Sequence, residues 1–337
     1  MKNKHLRAKT LDDLLRKIFR SLLSSKSRSE PTKGHNRDAI GVFLELSQPR
    51  CRVSQTETKG TIFSCIGELL WYLARSNELA FIQYYIPKYK EYSDDGKTIW
   101  GAYGPRIFDW HGTNQFQRVA DRLKVNRHSR RAVIQLFDSY DLNEPHEDVP
   151  CTTTLQFIIR DDLLHMVVHM RSNDAFKGLP HDIFSFTMLQ ELLSNELSVK
   201  LGSYHHSVGN LHLYEEDFAK AKKFLSEGWQ SSTPMPAMPF HDNWASIGTL
   251  LDVERQIREG QYVDFELLDL PPYWADLARL LRIYAITKDQ NEVSVASRRE
   301  LVRLKQAMST DIYDLYIRKK DVRINVITKQ DQFVFDR

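Results

Sequence analysis

Residues 183–197, IFSFTMLQELLSNEL, are apolar around most of the helical circumference. A helix of that kind has no face to offer water and must be enclosed by other elements. It follows two β-branched and apolar runs, TTLQFIIR at 153–160 and LLHMVVHMR at 163–171, which are split by Asp161-Asp162 as a hairpin would be. AIGVFLEL at 39–46 and RAVIQLF at 131–137 also have strand character, and TIFSCIGELLWYLARS at 61–76 reads as a second buried helix. Strands on both sides of an enclosed helix make an α+β protein, a mixed β-sheet packed with helices around a long buried central helix.

The flanks read differently. In LDDLLRKIFRSLLSS, Leu11, Leu14, Leu15, Ile18 and Leu22 fall at amphipathic-helix spacing. Residues 1–30 are rich in Lys and Arg but lack the apolar core of a secretory leader, so they read as an exposed basic helix. The polar stretch Lys26–Arg37, with Pro31 and Gly34, reads as a loop or mobile arm. Beyond about residue 240 the chain is mainly helical, with Pro271-Pro272 interrupting and a strand-like RINVIT near the end. Three regions follow: 1–34, an N-terminal helix and basic arm; 35–240, the core; 241–337, a helical extension packed on the core. No apolar run approaches the ~20 residues of a membrane span. Cys51, Cys65 and Cys151 are too few for a disulfide framework, which points to a reducing, cytoplasmic setting. The net charge of +3 is dispersed and makes no call for nucleic acid.

Five islands carry chemistry: GELLWYL at 67–73, SRRAV at 129–133, DVPCTTTLQF at 148–157, MRSNDAFKGLPHDIFSFTMLQ at 170–190, and HHSVGNLHLYEED at 205–217. On its own, a cysteine behind a proline is ordinarily a packed small hydrophobe. It becomes a nucleophile where positive charge stabilises its thiolate, and Arg130, Arg131 and Arg171 are the candidates. In order and spacing the five islands, over about residues 35–220, resemble the thymidylate synthases.

That resemblance implies a thymidylate synthase-like fold with one sheet face as a homodimer interface. It makes Cys151 the nucleophile that adds to C6 of a pyrimidine nucleotide, so that C5 can attack a one-carbon unit from 5,10-methylenetetrahydrofolate. Glu68 and Tyr103 become the proton-handling residues and Asp174 the contact to the pterin ring. Arg171 and Ser172 would bind the phosphate within the subunit, Arg130 and Arg131 the partner's phosphate, and His212 and Tyr214 the sugar hydroxyl. A further phosphate ligand is sought among Arg28, Lys33 and Arg37. Each has an ordinary alternative: a structural ion pair for Glu68, packing for Tyr103, a turn for Asp174, solvated charge for Arg130-Arg131. The cluster His205, His206 and His212 lacks partners at metal-ligand spacing, so no metal is expected.

The pattern departs from the family at Asp182, which stands in PHD where thymidylate synthases read asparagine in PFN. An amide suits uracil; a carboxyl suits the N4 amino group of cytosine. The same change marks the cytidylate 5-hydroxymethylases, which add water where thymidylate synthases transfer hydride. The expected activity is therefore hydroxymethylation of CMP or dCMP, with dUMP methylation or a silent nucleotide- or RNA-binding relative as alternatives. Asp182 also precedes the apolar helix, where Asp is a favoured N-cap. Thr152 replaces the family histidine after the nucleophile, Gly209-Asn210 replaces Gly-Asp, and the segment from Tyr89 to Tyr103 is shorter than the family's. VITKQDQFVFDR does not match the family's apolar C-terminus.

Overall fold

The computed structural model describes residues 4–29, 34–240, 242–288 and 294–320. They fall into two compact units, Met1–Met235 and Pro236–Arg337. The first contains strands β1 (His5–Ala8), β2 (Arg28–Ser29), β3 (Asn36–Leu46), β4 (Val133–Gln135), β5 (Thr152–Arg160), β6 (Leu163–Asp174) and β7 (Lys200–Tyr214). Its helices are α1 (Leu11–Leu23), α2 (Ile62–Leu73), α3 (Leu79–Tyr85), α4 (Tyr103–Phe108), α5 (Gln115–Val125), α6 (Gly178–Glu196) and α7 (Phe218–Ser226). The second unit holds α8 (Asn243–Arg258), α9 (Pro272–Thr287) and α10 (Val295–Gln306).

The strands form one mixed sheet in the order β1-β3-β7-β6-β5-β4, with β2 paired to β3. β1 with β3 and β6 with β7 run parallel; the other neighbours are antiparallel. The β5–β6 hairpin turns on Asp161 and Asp162, both left-handed (φ 50° and 60°), as a two-residue turn matched to strand twist requires. Along β6, Leu164, Met166, Val168 and Met170 are buried while His165, Val167 and His169 lie on the more accessible face. Every α6 residue from Ile183 to Ser194 is buried. Its polar members find partners there: Gln190 Nε2 donates to the Leu164 carbonyl at 2.8 Å, and Glu191 pairs with the buried Arg52.

Three expectations need correction. First, α6 begins at Gly178, with Lys177 at the N-cap position, so Asp182 lies in the second turn and caps nothing. The earlier start has a local cause: Asp174 Oδ1 accepts the amides of Phe176 and Lys177 and closes the preceding turn, and Pro180 occupies the first turn, where no N–H is missed. Second, α1 is not an exposed basic helix. Its apolar stripe, with Asp12 and Arg16, is buried, and Asp12 accepts from Ser54 Oγ at 2.5 Å and from the Gln55 amide at 2.7 Å. Third, part of the stretch Lys26–Arg37 is strand: Arg28 and Ser29 pair with Arg37 and Asn36, and Asp38 gathers the Ser27 and Ser29 hydroxyls. The RINVIT segment lies outside the described residues. Pro272 opens α9 at its first position, where a proline needs no amide partner.

Candidate active site

Strand direction collects the chemistry at one end of the sheet. The parallel strands β6 and β7 finish there, with Ser172 opposite Asn210 and Asp174 opposite His212. The antiparallel β5 starts there, directly after Cys151. Cys151 is half-buried, and its carbonyl accepts the Arg171 amide at 2.8 Å. The Arg171 guanidinium grips the approach to the cysteine, donating from Nε to the Pro150 carbonyl at 3.0 Å and from Nη2 to that of Val149 at 2.7 Å. A positive charge is thus held against the carbonyls one and two residues before the thiol. On the other side the Tyr103 hydroxyl accepts the Thr152 amide at 3.0 Å.

Glu68 on α2 is 6% exposed. Burial pushes its carboxyl up to about 7, against the opposing effect of hydrogen bonds from Tyr89 and Tyr72, with Asp148 pushing further upward. The Tyr89 hydroxyl donates to Glu68 Oε1 at 2.6 Å from a short 3-10 turn, Pro87–Tyr92. Sequence reading did not assign Tyr89, because it lies in the segment shortened relative to the family. Burial raises the Tyr103 hydroxyl well above its usual range, and the charges of Cys151 and Asp182 add to this.

Asp182 reaches this group from the second turn of α6. Burial raises its carboxyl well above the ordinary carboxylate range, the Glu68 charge adds to this, and a hydrogen bond from Asn173 Nδ2 at 3.0 Å opposes it. Asp174 has Oδ1 committed to the turn before α6, so the turn role is real. Nearby, Lys59 is 4% exposed, its ammonium 4.1 Å from the centre of the Phe176 ring, and burial pulls it down to about 8 against the attraction of Asp174. His181 bonds Ser64 Oγ and the Lys177 carbonyl, and burial lowers it to about 4.

Ser172 Oγ lies 3.5 Å from His212 Nδ1, and the His212 and Tyr214 rings meet edge to face at 5.0 Å, so the expected phosphate and sugar residues are neighbours. Arg130 and Arg131 sit elsewhere, exposed on a hollow of about 700 Å³ shared with Arg118, Arg122 and His128. Arg37 is occupied by the Leu23 carbonyl and the Phe218 ring; Arg28 is exposed in β2; Lys33 lies outside the described residues. The three histidines of β7 do not converge: His205 bonds Ser203, His206 is buried on the opposite face, and His212 is at the strand's end. Among the described residues no three potential ligands meet at a metal-sized site.

A thiol, an arginine bound to the segment before it and a buried carboxyl raised to about 7 are the kinds of group that covalent group transfer employs. The chain belongs to the thymidylate synthase family, whose model matches residues 10–273. The match thus begins at the N-cap of α1 and runs beyond the 35–220 covered by the sequence islands. Among curated proteins, the chain is 32% identical over 188 residues to a deoxyuridylate hydroxymethyltransferase of Delftia phage PhiW-14, covering 52% of each. It is 30% identical over 170 residues to the thymidylate synthase of Mycoplasma pneumoniae (strain ATCC 29342 / M129 / Subtype 1), covering 50% of this chain and 53% of that protein. The chain therefore spans about half the length of these relatives. Among the described residues no helix is long and apolar enough to cross a membrane.

Proposed function

We propose that the protein is a pyrimidine nucleotide one-carbon transferase that hydroxymethylates C5 of CMP or dCMP, using 5,10-methylenetetrahydrofolate as co-substrate. The observation that carries the choice of base is Asp182. Burial raises its carboxyl well above the ordinary carboxylate range, and in the protonated form that this favours it offers one donor and one acceptor. Cytosine needs that pair: a donor for N3 and an acceptor for the N4 amino group. In the family, uracil is met by an asparagine at this position.

Cys151 adds to C6 and leaves C5 able to form a carbon–carbon bond; Arg171 holds the strand that presents the thiol. The folate supplies the one-carbon unit. Glu68, near neutrality, can take or give a proton at the C5 side, and Tyr103 is the other proton-handling candidate. Asp174 and the buried ammonium of Lys59, which attract one another, are charged groups that would meet a polar heterocycle. Ser172, Arg171, His212 and Tyr214 would take the phosphate and sugar, and Arg130-Arg131 would complete the partner's phosphate site in a homodimer. The first unit is the catalytic body. A second reading, hydroxymethylation of a uridylate, is favoured by the name of the phage relative.

The test is release of tritium from C5-labelled nucleotides in the presence of the folate. Release from cytidylates, abolished in Cys151→Ala, is expected. Release from uridylates alone would favour the second reading.

A further inference from the structure

We infer that Asn173 is the positioning residue that lets Asp182 tell cytosine from uracil, by deciding which of the two carboxyl oxygens stays bare. A neutral carboxyl alone is ambivalent. With its proton on one oxygen it presents a donor and an acceptor in the order cytosine needs; with the proton on the other, in the order uracil needs. Something must break that symmetry if the base is to be selected.

Asn173 does so from the end of β6. It is 3% exposed, and its Nδ2 donates to Asp182 Oδ2 at 3.0 Å. An oxygen that already accepts a hydrogen bond is the poorer place for the proton, so Oδ2 remains the acceptor and Oδ1 carries the hydrogen. The amide is held in turn. Its nitrogen lies 3.1 Å from His206 Nε2, and His206 Nδ1 lies 2.7 Å from the Tyr204 hydroxyl. His206 is 0% and Tyr204 1% exposed, and burial keeps the imidazole neutral, its value pulled down to about 3. A neutral ring has one donor and one acceptor nitrogen, so with Nδ1–H given to Tyr204, Nε2 is an acceptor facing the Asn173 amide, whose nitrogen also lies 2.8 Å from Met170 Sδ. That assignment orders the whole chain.

Two further features fit a purpose beyond packing. Asn173 Oδ1 is buried without a partner among the described residues, an arrangement that folding alone does not favour. Gly178 makes room for it: a Cβ there would stand 3.1 Å from Asn173 Oδ1 and 3.6 Å from Asp182 Oδ2. Tyr204 and His206 alternate with outward residues on β7, so the chain runs across the buried face of the sheet from Tyr204 to the base-reading carboxyl.

The inference rests on the reading that Asp182 meets the base, with Oδ2 at the N4 position and Oδ1 at N3. Its test is the ratio of kcat/KM for cytidylate over uridylate in the wild type, Asn173→Ala, and the volume-matched Asn173→Leu. The expected result is a fall toward parity by about tenfold or more, the scale of one buried hydrogen bond. A merely structural Asn173 would lower kcat/KM for both nucleotides alike and leave the ratio unmoved. Should neither Asn173 variant fold, Tyr204→Phe, which removes only the anchoring hydroxyl, is expected to lower the ratio by a smaller factor. An unchanged ratio in the folded variants overturns the role of Asn173. A wild type that prefers uridylate but loses that preference in Asn173→Ala would keep the role and refute only the base assignment.

Discussion

Replacing Tyr89 by Phe removes one hydroxyl and little else, and the structure sets the size of the effect. Tyr89 donates to Glu68 Oε1 at 2.6 Å, one of two tyrosine hydrogen bonds that hold down a carboxyl which burial has pushed up to about 7. A hydrogen bond to a charged group is worth about 1.5–3 kcal/mol, and one pKa unit is about 1.4 kcal/mol, so the Glu68 carboxyl in Tyr89→Phe should titrate roughly 1–2 units higher. If catalysis uses ionised Glu68, the acidic limb of kcat/KM against pH moves alkaline by that amount. Activity at pH 7 then falls roughly 5- to 50-fold, while activity above pH 9 approaches that of the wild type. The assay is tritium release from C5-labelled cytidylate across that range. An acidic limb that stays in place, with loss uniform at every pH, would refute the link between Tyr89 and Glu68.

Cys151→Ala should abolish turnover while nucleotide binding, measured by calorimetry, persists; near-normal turnover would exclude the covalent route. Mixing inactive Cys151→Ala subunits with inactive Arg130→Ala/Arg131→Ala subunits should restore part of the activity, since one composite site per mixed dimer is whole; a strictly monomeric active protein in sedimentation would sink this. Glu68→Gln should lose turnover but gain stability at alkaline pH. The Glu68 carboxyl titrates near 7 folded against an ordinary 4.5, so its contribution is fully present below 4.5 and is lost as pH rises through about 7, a deficit of roughly 3 kcal/mol by pH 8. A melting-temperature gain no larger at pH 8 than at pH 5 would contradict the burial argument.

The enclosed helix, the Asp161-Asp162 hairpin and the strands flanking them were legible because their signals are periodic and local. What was not legible depends on contacts distant in the chain. Residues 1–30 look basic and exposed by composition, yet Asp12 is caught by Ser54 and Gln55, and α1 packs inward. Asp182 looks like a cap because the apolar run starts after it; the Asp174 turn starts the helix earlier and turns Asp182 toward Asn173. Of the catalytic candidates, Cys151, Glu68, Tyr103, Asp182 and Arg171 come together at the end of the sheet. Tyr89 and Tyr204 lie outside the five islands, and Asn173 and His206 lie inside them without an assigned role; only the folded chain shows that they bear on Glu68 and Asp182.

The most direct measurement is the mass of the product formed from CMP, dCMP, UMP and dUMP, each incubated with the protein and 5,10-methylenetetrahydrofolate. A buried Asp182, its carboxyl raised well above the ordinary range beside an anchored Asn173, leads to the expectation that CMP or dCMP gains the elements of CH2O, while UMP and dUMP react at least about tenfold more slowly. A product from dUMP alone, gaining only CH2, would contradict both the base assignment and the addition of water.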